Sequence, residues 1–484
     1  MRGAKPGACV ERIEVALGAL FTDLSTSGLW HDEKPLADAV MRAEPAVILA
    51  AYQTAKALGP VDLAAFHAKW FRPVGGSEIH YSTRPNHRPL DHIEALWPHL
   101  TRDADDPDER STRFPLPHPY VVVGGRFQEA YYWDSYFTQL GLLKSGRHTL
   151  VKDMLDNFAH AIRVIGHIPN GFRSYFLTRS QPPFFSQMVS DYGRAIGDRT
   201  GALAAYLPEI EAEYAYFTTP ERTHDGLTHY WDAASGPRTE MLGTDLRMTE
   251  VEAARPGFYR DLRAACESGW DFSARWLTDP HDLATIRTTR ILPVDLNSLM
   301  LGIEDILAEA APAPRAEIYQ AAAETRRAAI QQRFFDTGRG YFFDLSIDDG
   351  AITPITTAAG FFPLWRGAAT QDQAEATAAW AERHLLAPGG LLTTDVKSGQ
   401  QWDAPNGWAP LNWVAVQGLR RYGLDDLAET LRRRWLATCD TVFRASGKFV
   451  EKYNVLDPAA PSGGGEYKLQ DGFGWSNGVY LDLN

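Results

Sequence analysis

Residues 121–142 read VVVGGRFQEAYYWDSYFTQLGL, and the rest of the chain makes sense around them. A glycine pair, Gly124 and Gly125, precedes Arg126, Glu129, Tyr131, Tyr132, Trp133, Asp134 and Tyr136. Having no Cβ, the glycines let the backbone turn tightly or approach a ligand closely. Arginine offers a planar fork of donors, and tryptophan and tyrosine offer flat faces with polar tips. Together with carboxylates these groups suit a polyhydroxylated ring, which takes hydrogen bonds at its rim and stacking on its C–H face. The same residues also read as a helix start with a buried aromatic stripe.

Composition narrows the field. The 484 residues are 44% apolar and 23% charged, enough for a large globular core. The 14 Trp, 19 Tyr and 23 Phe fit a carbohydrate cleft or a large core. A net charge of −13 argues against nucleic-acid or anionic-membrane partners, which call for a basic face. Cys9, Cys266 and Cys439 are too sparse for a disulfide framework and lack zinc spacing, which fits a reducing compartment. Near the N-terminus Glu11, Arg12 and Glu14 interrupt any apolar run, so no signal-peptide core is evident. The expected location is therefore cytoplasmic, with periplasm or secretion requiring a leader already removed. No stretch approaches the roughly 20 apolar residues of a membrane helix. The 14 His show no metal spacing, and neither Rossmann glycines nor a Ser–His nucleophile motif occurs, so no metal or cofactor is expected.

Helical patterns recur along most of the chain. Residues 40–58 read as a helix and 59–120 as mostly irregular, with a polar, Pro-broken surface loop at 101–119. Residues 137–144 and 149–165 read as antiparallel neighbours joined by a Ser-Gly turn. Leu296, Leu299, Met300, Ile303, Ile306 and Leu307 have the spacing of a helix with one buried face. Residues 315–335, 372–385, 409–422 and 425–444 read likewise, and 340–346 and 447–453 are the best strand candidates. About a dozen helices with long Gly/Pro loops between alternate ones suggest paired helices in a ring. No repeat of fixed period is present, so the pattern alone supports a large all-α domain.

Glycosidic hydrolysis with inversion needs a carboxylic acid to protonate the leaving oxygen and a carboxylate across the ring to activate water, about 6.5–9.5 Å apart. With 61 acidic residues, context must choose. In ESGWDF (267–272), Asp271 lies between Trp270 and Phe272, apolar flanks that raise a carboxyl pKa toward the acid role; alternatively it caps a helix through Arg275 and Trp276. In FVEKY (449–453), Glu451 is a base candidate or half of a strand-edge ion pair with Lys452. In SGGGEYKLQDGFGWSNG (462–478), the glycines beside Glu466 read as a lid or a plain flexible loop. In QQWDAPNGWAP (400–410), Trp402 and Trp408 suit cleft walls, while Asp403 suits a structural or sugar-binding role. Asp295 is a rival acid, but it begins an amphipathic helix, where capping explains it.

The motif Gly-Gly-Arg-Phe-x-Glu-x-Tyr-x-Trp-Asp-x-Tyr resembles the first signature of the trehalases, inverting glycosidases that split α,α-trehalose, with Val123 where that family usually has Pro. Residues 400–410 resemble the second signature. The resemblance extends collinearly over nearly the whole chain and implies an (α/α)6 barrel, a six-hairpin toroid with long active-site loops. It implies one catalytic domain over 1–484, with 1–60 packing on the barrel as an N-terminal segment, and trehalose as small-molecule partner; the expected form is a monomer. By that match Asp271 is the general acid, with Gly269 close to substrate, and Glu451 is the general base. The same match makes Arg126, Trp133, Asp134, Asn170, Arg179, Ser180, Gln181 and Glu466 substrate contacts. Arg238 and Glu240 join them from an Arg-Thr-Glu segment, Thr239 replacing the family's Pro. Two alternatives remain: another inverting α-glucosidase on the same barrel, or a non-catalytic disaccharide-binding protein. Presence of both Asp271 and Glu451 favours an enzyme.

Overall fold

A computed structural model describes residues 12–73, 81, 87–251, 255–464, 466, 469–470 and 472–484. Twelve of its helices form two concentric rings. In chain order the first six are α1 (Pro89–Leu100), α2 (Tyr132–Lys144), α3 (His148–Ile165), α4 (Phe185–Ala195), α5 (Arg199–Phe217) and α6 (Val294–Ala310). The others are α7 (Arg315–Ala329), α8 (Phe362–Trp365), α9 (Gln371–His384), α10 (Ala409–Arg421), α11 (Asp425–Ser446) and α12 (Gly474–Leu483). Each even-numbered helix packs on the next, and α12 packs back on α2, so the inner ring closes. The architecture is the (α/α)6 barrel that the resemblance implied.

Burial separates the rings. Outer α3 buries Val151, Met154, Leu155, Phe158 and Ile162, one stripe at helical spacing. Inner α2 instead buries every residue from Tyr132 to Leu142, as a helix enclosed on all sides must. The apolar stripe read on α6 is buried, but so are Asp295, Asn297, Ser298 and Glu304, so the single-face expectation understated its enclosure. These polar groups persist inside because partners satisfy them. Arg326 of α7 donates to Asn297 Oδ1 at 2.8 Å and to Glu304 Oε1 at 2.9 Å, while Asn297 Nδ2 donates to the Thr228 carbonyl at 2.9 Å.

The connections are of two lengths. Inner-to-outer turns span only 145–147, 196–198, 311–314, 366–370 and 422–424. Gly146, Gly197, Gly367 and Gly423 take positive φ in four of them, the conformation that closes a helix C-terminus. Outer-to-inner connections are long: 101–131, 166–184, 218–293, 330–361, 385–408 and 447–473. All six therefore gather at one mouth, over the N-termini of the inner helices.

Three expectations need correction. The helix read over 40–58 starts at Pro45, because Pro suits a first helical turn and Val40–Met41 pairs instead with Phe71–Arg72. Residues 59–120 contain the helix Leu63–Trp70, capped by Asp62, and the barrel helix α1, which buries Ile93, Leu96, Trp97 and Leu100. Of residues 447–453 only Lys452 and Tyr453 are strand, in Lys452–Asn454, which pairs with Asn406–Trp408.

The N-terminal helices sit at the same mouth as the long loops. Ala19–Thr26 packs on the helix Leu242–Val251, and Lys34–Asp38 on the 3₁₀ turn Thr239–Met241. Their apolar side chains join the barrel's in one core cluster running from Ile13 to Leu483. Among the described residues no helix is long and apolar enough to cross a membrane. Cys9, and Gly465, Tyr467, Lys468 and Asp471 of the glycine-rich segment, lie outside the described residues.

Candidate active site

Asp134 and Trp133 lie in the first turn of α2 and line a cavity at the loop-rich mouth. Behind them Gly125 (φ +55°) leaves no room for a side chain: a Cβ there would run into the side-chain oxygen of Gln470. That amide oxygen instead accepts from the Arg126 backbone at 2.7 Å. Burial pushes the Asp134 carboxyl well above the ordinary range, and the charges of Glu451 and Asp271 push it the same way. Three carboxyl groups from three distant segments thus share one cavity.

The helix Phe258–Ser268 ends at Gly269, whose φ of +76° is open to glycine and costly for other residues. A Cβ on Gly269 would lie 2.7 Å from the Trp133 ring, so the glycine is required twice over. Asp271 follows, between fully buried Trp270 and Phe272. Its carboxyl is pushed up to about 7, by burial first and then by the charge of Glu466, against the opposing pull of Arg238 and Arg179. The capping alternative for Asp271 fails: Ser273 caps the 3₁₀ turn Ala274–Trp276 by accepting from the Arg275 backbone. Asp403 accepts from Ser273 Oγ and the Ala274 backbone, both at 2.8 Å, and from Thr394 Oγ1 at 2.8 Å. It is a buried anchor that fixes the loop after Asp271. Asp295 is held by Arg275 at 2.7 and 2.9 Å and does not line this cavity, and the N-cap of α6 is Pro293. The rival acid is a structural ion pair.

Glu451 enters from another direction, immediately before the strand Lys452–Asn454. Its backbone N–H donates to the Gln470 carbonyl at 3.0 Å, and its carbonyl accepts from Trp475 Nε1 at 3.0 Å. The carboxylate lies 3.7 Å from Lys452 Nζ, but both side chains are almost wholly buried, so this is no exposed strand-edge pair. Trp402 and Trp408 stack at 3.7 Å with rings 2° apart and form a wall of the cavity, as their sequence context suggested.

Around these carboxyls stands a ring of arginines. Arg238 grips both oxygens of Glu466 at 2.9 Å and is itself backed by Asp245 at 2.6 Å. Arg179 donates to Glu240 Oε1 at 2.8 Å. Among the described residues, Glu240 Oε2 and Arg179 Nε are buried with no hydrogen-bond partner in the protein. Asn170 donates to the carbonyls of Ser180 and Cys266, both at 3.1 Å, and Gln181 accepts from the Trp133 backbone at 3.0 Å. All of these residues except Asp245 and Ser180 line the cavity, together with Arg126 and Gly269. The Ser180 hydroxyl donates to the Ile168 carbonyl at 2.6 Å, behind the wall.

Sequence reasoning missed two contributors. Asp32 accepts from Arg126 at 2.5 Å, and Lys34 lines the cavity while bonding Asp38 at 2.5 Å and Glu129 at 2.7 Å. Asp32 and Lys34 belong to the N-terminal segment and carry no local signal. Trp475 and Phe473 also line the cavity, and their signal was present in the aromatic Gly-Phe-Gly-Trp run.

Comparison with known proteins adds to this geometry. The family model described as Trehalase matches residues 77–483. A periplasmic trehalase of Salmonella paratyphi B is 44% identical over 492 residues, covering 97% of this chain and 86% of that protein. Another from Salmonella agona is equally similar. Among solved structures, neutral trehalase Nth1 from Saccharomyces cerevisiae is 26% identical with a TM-score of 0.66, covering 82% of this chain and 80% of that one. A GH63 mannosylglycerate hydrolase from Thermus thermophilus shares the fold at 20% identity and a TM-score of 0.56, over 82% of this chain and 99% of that one. The bacterial relatives are named periplasmic, and the cytoplasmic expectation finds no support in them.

Proposed function

The chain belongs to the trehalase family, and we propose that the acid and base of its trehalose hydrolysis are Asp271 and Glu451. It is a glycosidase that splits α,α-trehalose into two glucose molecules. In the proposed mechanism Asp271 passes its proton to the oxygen bridging the two rings as the bond to the anomeric carbon breaks. Glu451 takes a proton from a water that attacks that carbon from the opposite face. Inversion follows, with one β- and one α-glucose released. The observation that carries the assignment is the contrast of environments. Asp271 is kept protonated near neutrality by burial and Glu466, while Glu451 comes from a separate segment, just before a strand and beside Lys452.

The substrate contacts follow from the lining. Arg126, Trp133, Asp134, Asn170, Arg179, Gln181, Arg238, Glu240, Gly269 and Glu466 would meet the sugar, whose hydroxyls can satisfy the partnerless Glu240 Oε2 and Arg179 Nε. Ser180 acts behind them, positioning Ile168 and the Asn170 turn. Proton NMR of the early reaction with trehalose tests the reading. Equal initial α- and β-glucose signals are expected; α-glucose alone would mean retention and overturn the mechanism. Release from maltose but not trehalose would assign the cavity to a general α-glucosidase.

Activity should also report the state of Asp271. A general acid works while protonated, so kcat/KM is expected to fall as pH rises through about 7. Glu466 opposes ionisation of Asp271, so Glu466→Gln makes ionisation easier and moves this alkaline limb to lower pH. A limb that stays in place would remove Glu466 from the tuning of the acid.

The single core cluster supports one catalytic unit, with the described part of the N-terminal segment, 12–60, as part of the mouth rather than a separate domain. We assign the protein to the periplasm, as its bacterial relatives are named, and take the working form to be a monomer without nucleic-acid or membrane partners.

A further inference from the structure

One buried amide reaches both catalytic segments. Gln401 Nε2 donates to the backbone carbonyl of Asp271, and Gln401 Oε1 accepts from Lys452 Nζ at 2.7 Å. Lys452 is the neighbour of Glu451, lies 3.7 Å from its carboxylate, and sits over the Trp408 ring at 5.3 Å. It also donates to the Gly464 carbonyl at 3.3 Å, in the glycine-rich segment. Gln401 is 1% exposed and does not line the cavity. Its own carbonyl accepts from Trp408 Nε1 at 3.2 Å and Asn406 Nδ2 at 3.0 Å, so the residue is held from behind as well.

We propose that Gln401 is a positioning residue, and that the Gln401–Lys452 bridge holds the loop carrying Asp271 in register with the strand carrying Glu451. An inverting hydrolysis depends on the distance between its acid and base, which here come from segments 180 residues apart in sequence. Among the described residues, the loop of Asp271 and the two-stranded ladder beside Glu451 share no sheet or helix that could set that distance. The Trp402 N–H donates to the Phe272 carbonyl at 3.1 Å and Asp403 holds Ser273 and Ala274. The bridge is what reaches Asp271 itself, with two hydrogen bonds in a dry site where each orients strongly. An apolar side chain of equal size would fill the space but remove this link, leaving the loop tied through Asp403 and the Trp402 N–H, which reach it beyond Asp271 at residues 272–274.

The proposal rests on the assignment of Asp271 as acid, and the test separates the two. Gln401→Glu keeps an oxygen for Lys452 and removes the donor to the Asp271 carbonyl; Gln401→Leu removes both. Each is assayed on trehalose and on α-glucosyl fluoride, whose leaving fluoride needs little protonation, with Asp271→Asn alongside and melting temperatures measured. A misplaced acid should lower kcat on trehalose about 10- to 100-fold with KM within about threefold, while the fluoride is spared. Equal losses on both substrates, or a wild-type kcat in Gln401→Glu, would overturn the bridge. If Asp271→Asn itself showed no selective loss on trehalose, the acid assignment would fall and the bridge with it. If Asp271→Asn shows the selective loss and Gln401→Glu does not, only the bridge is refuted.

Discussion

Asp271→Asn is expected to lower kcat on trehalose by about a thousandfold or more, the upper range for removing a general acid. The loss should depend on the leaving group. Glucose departs as a poor leaving group and needs its proton, whereas fluoride does not, so turnover of α-glucosyl fluoride should stay within about tenfold of the parent. The fold should survive. Asp271 holds its proton up to about pH 7, so the amide replaces a neutral group of the same shape in the same buried position. Circular dichroism and melting temperature check that point. Near-normal trehalose turnover in this variant would remove Asp271 from the mechanism. Neither Asp295 nor Asp403 would inherit the role easily, since Asp295 is locked to Arg275 and Asp403 to the Ser273 loop.

Glu451→Gln should be as severe, about a thousandfold or more, but with a different signature. Water must lose a proton whichever group departs, so trehalose and α-glucosyl fluoride should both be lost. A strong anionic nucleophile needs no base. In Glu451→Ala, azide can occupy the space vacated by the carboxylate and attack the anomeric carbon from the face opposite the leaving group. The expected product is β-glucosyl azide, detectable by NMR; the α-anomer, or full activity on the fluoride without azide, would refute the assignment. Lys452 keeps Gln401 Oε1 at 2.7 Å and the Gly464 carbonyl in either variant, so its ammonium is not stranded by the change.

The sequence by itself determined the features whose physics is local. The stripe Val151, Met154, Leu155, Phe158, Ile162 is set by a 3.6-residue period, and the outer helices are legible for that reason. The motifs around Asp271, Glu451, Arg238 and Glu466 could be read because several unusual residues occur together in a fixed order. Glycine at 125 was visible as a place for close approach, and Gln470 is what approaches; at 269, which only the family resemblance marked, it is Trp133.

What a polar residue does once buried was decided only by the tertiary structure. Asp271 and Asp295 look alike locally, each a carboxylate by a helix start with apolar neighbours. Arg275 reaches across 20 residues to neutralise Asp295, Ser273 takes the cap, and Asp271 is left facing the cavity. Ser180 lies within a motif of contacts yet turns to the Ile168 carbonyl, because one step along an irregular loop reverses a side chain. Asp32 and Lys34 carry no pattern at all, and Gln401 sits in a legible motif that does not reveal its role; they gain their places from partners 94, 95 and 130 residues away. The enclosure of the inner helices was hidden for the same reason: the stripe on α6 was legible, but not that its remaining faces are buried too. Local periodicity and capping are encoded within a turn or two of chain, whereas burial, charge pairing and the aim of a side chain belong to whichever distant segment the closed barrel brings against it.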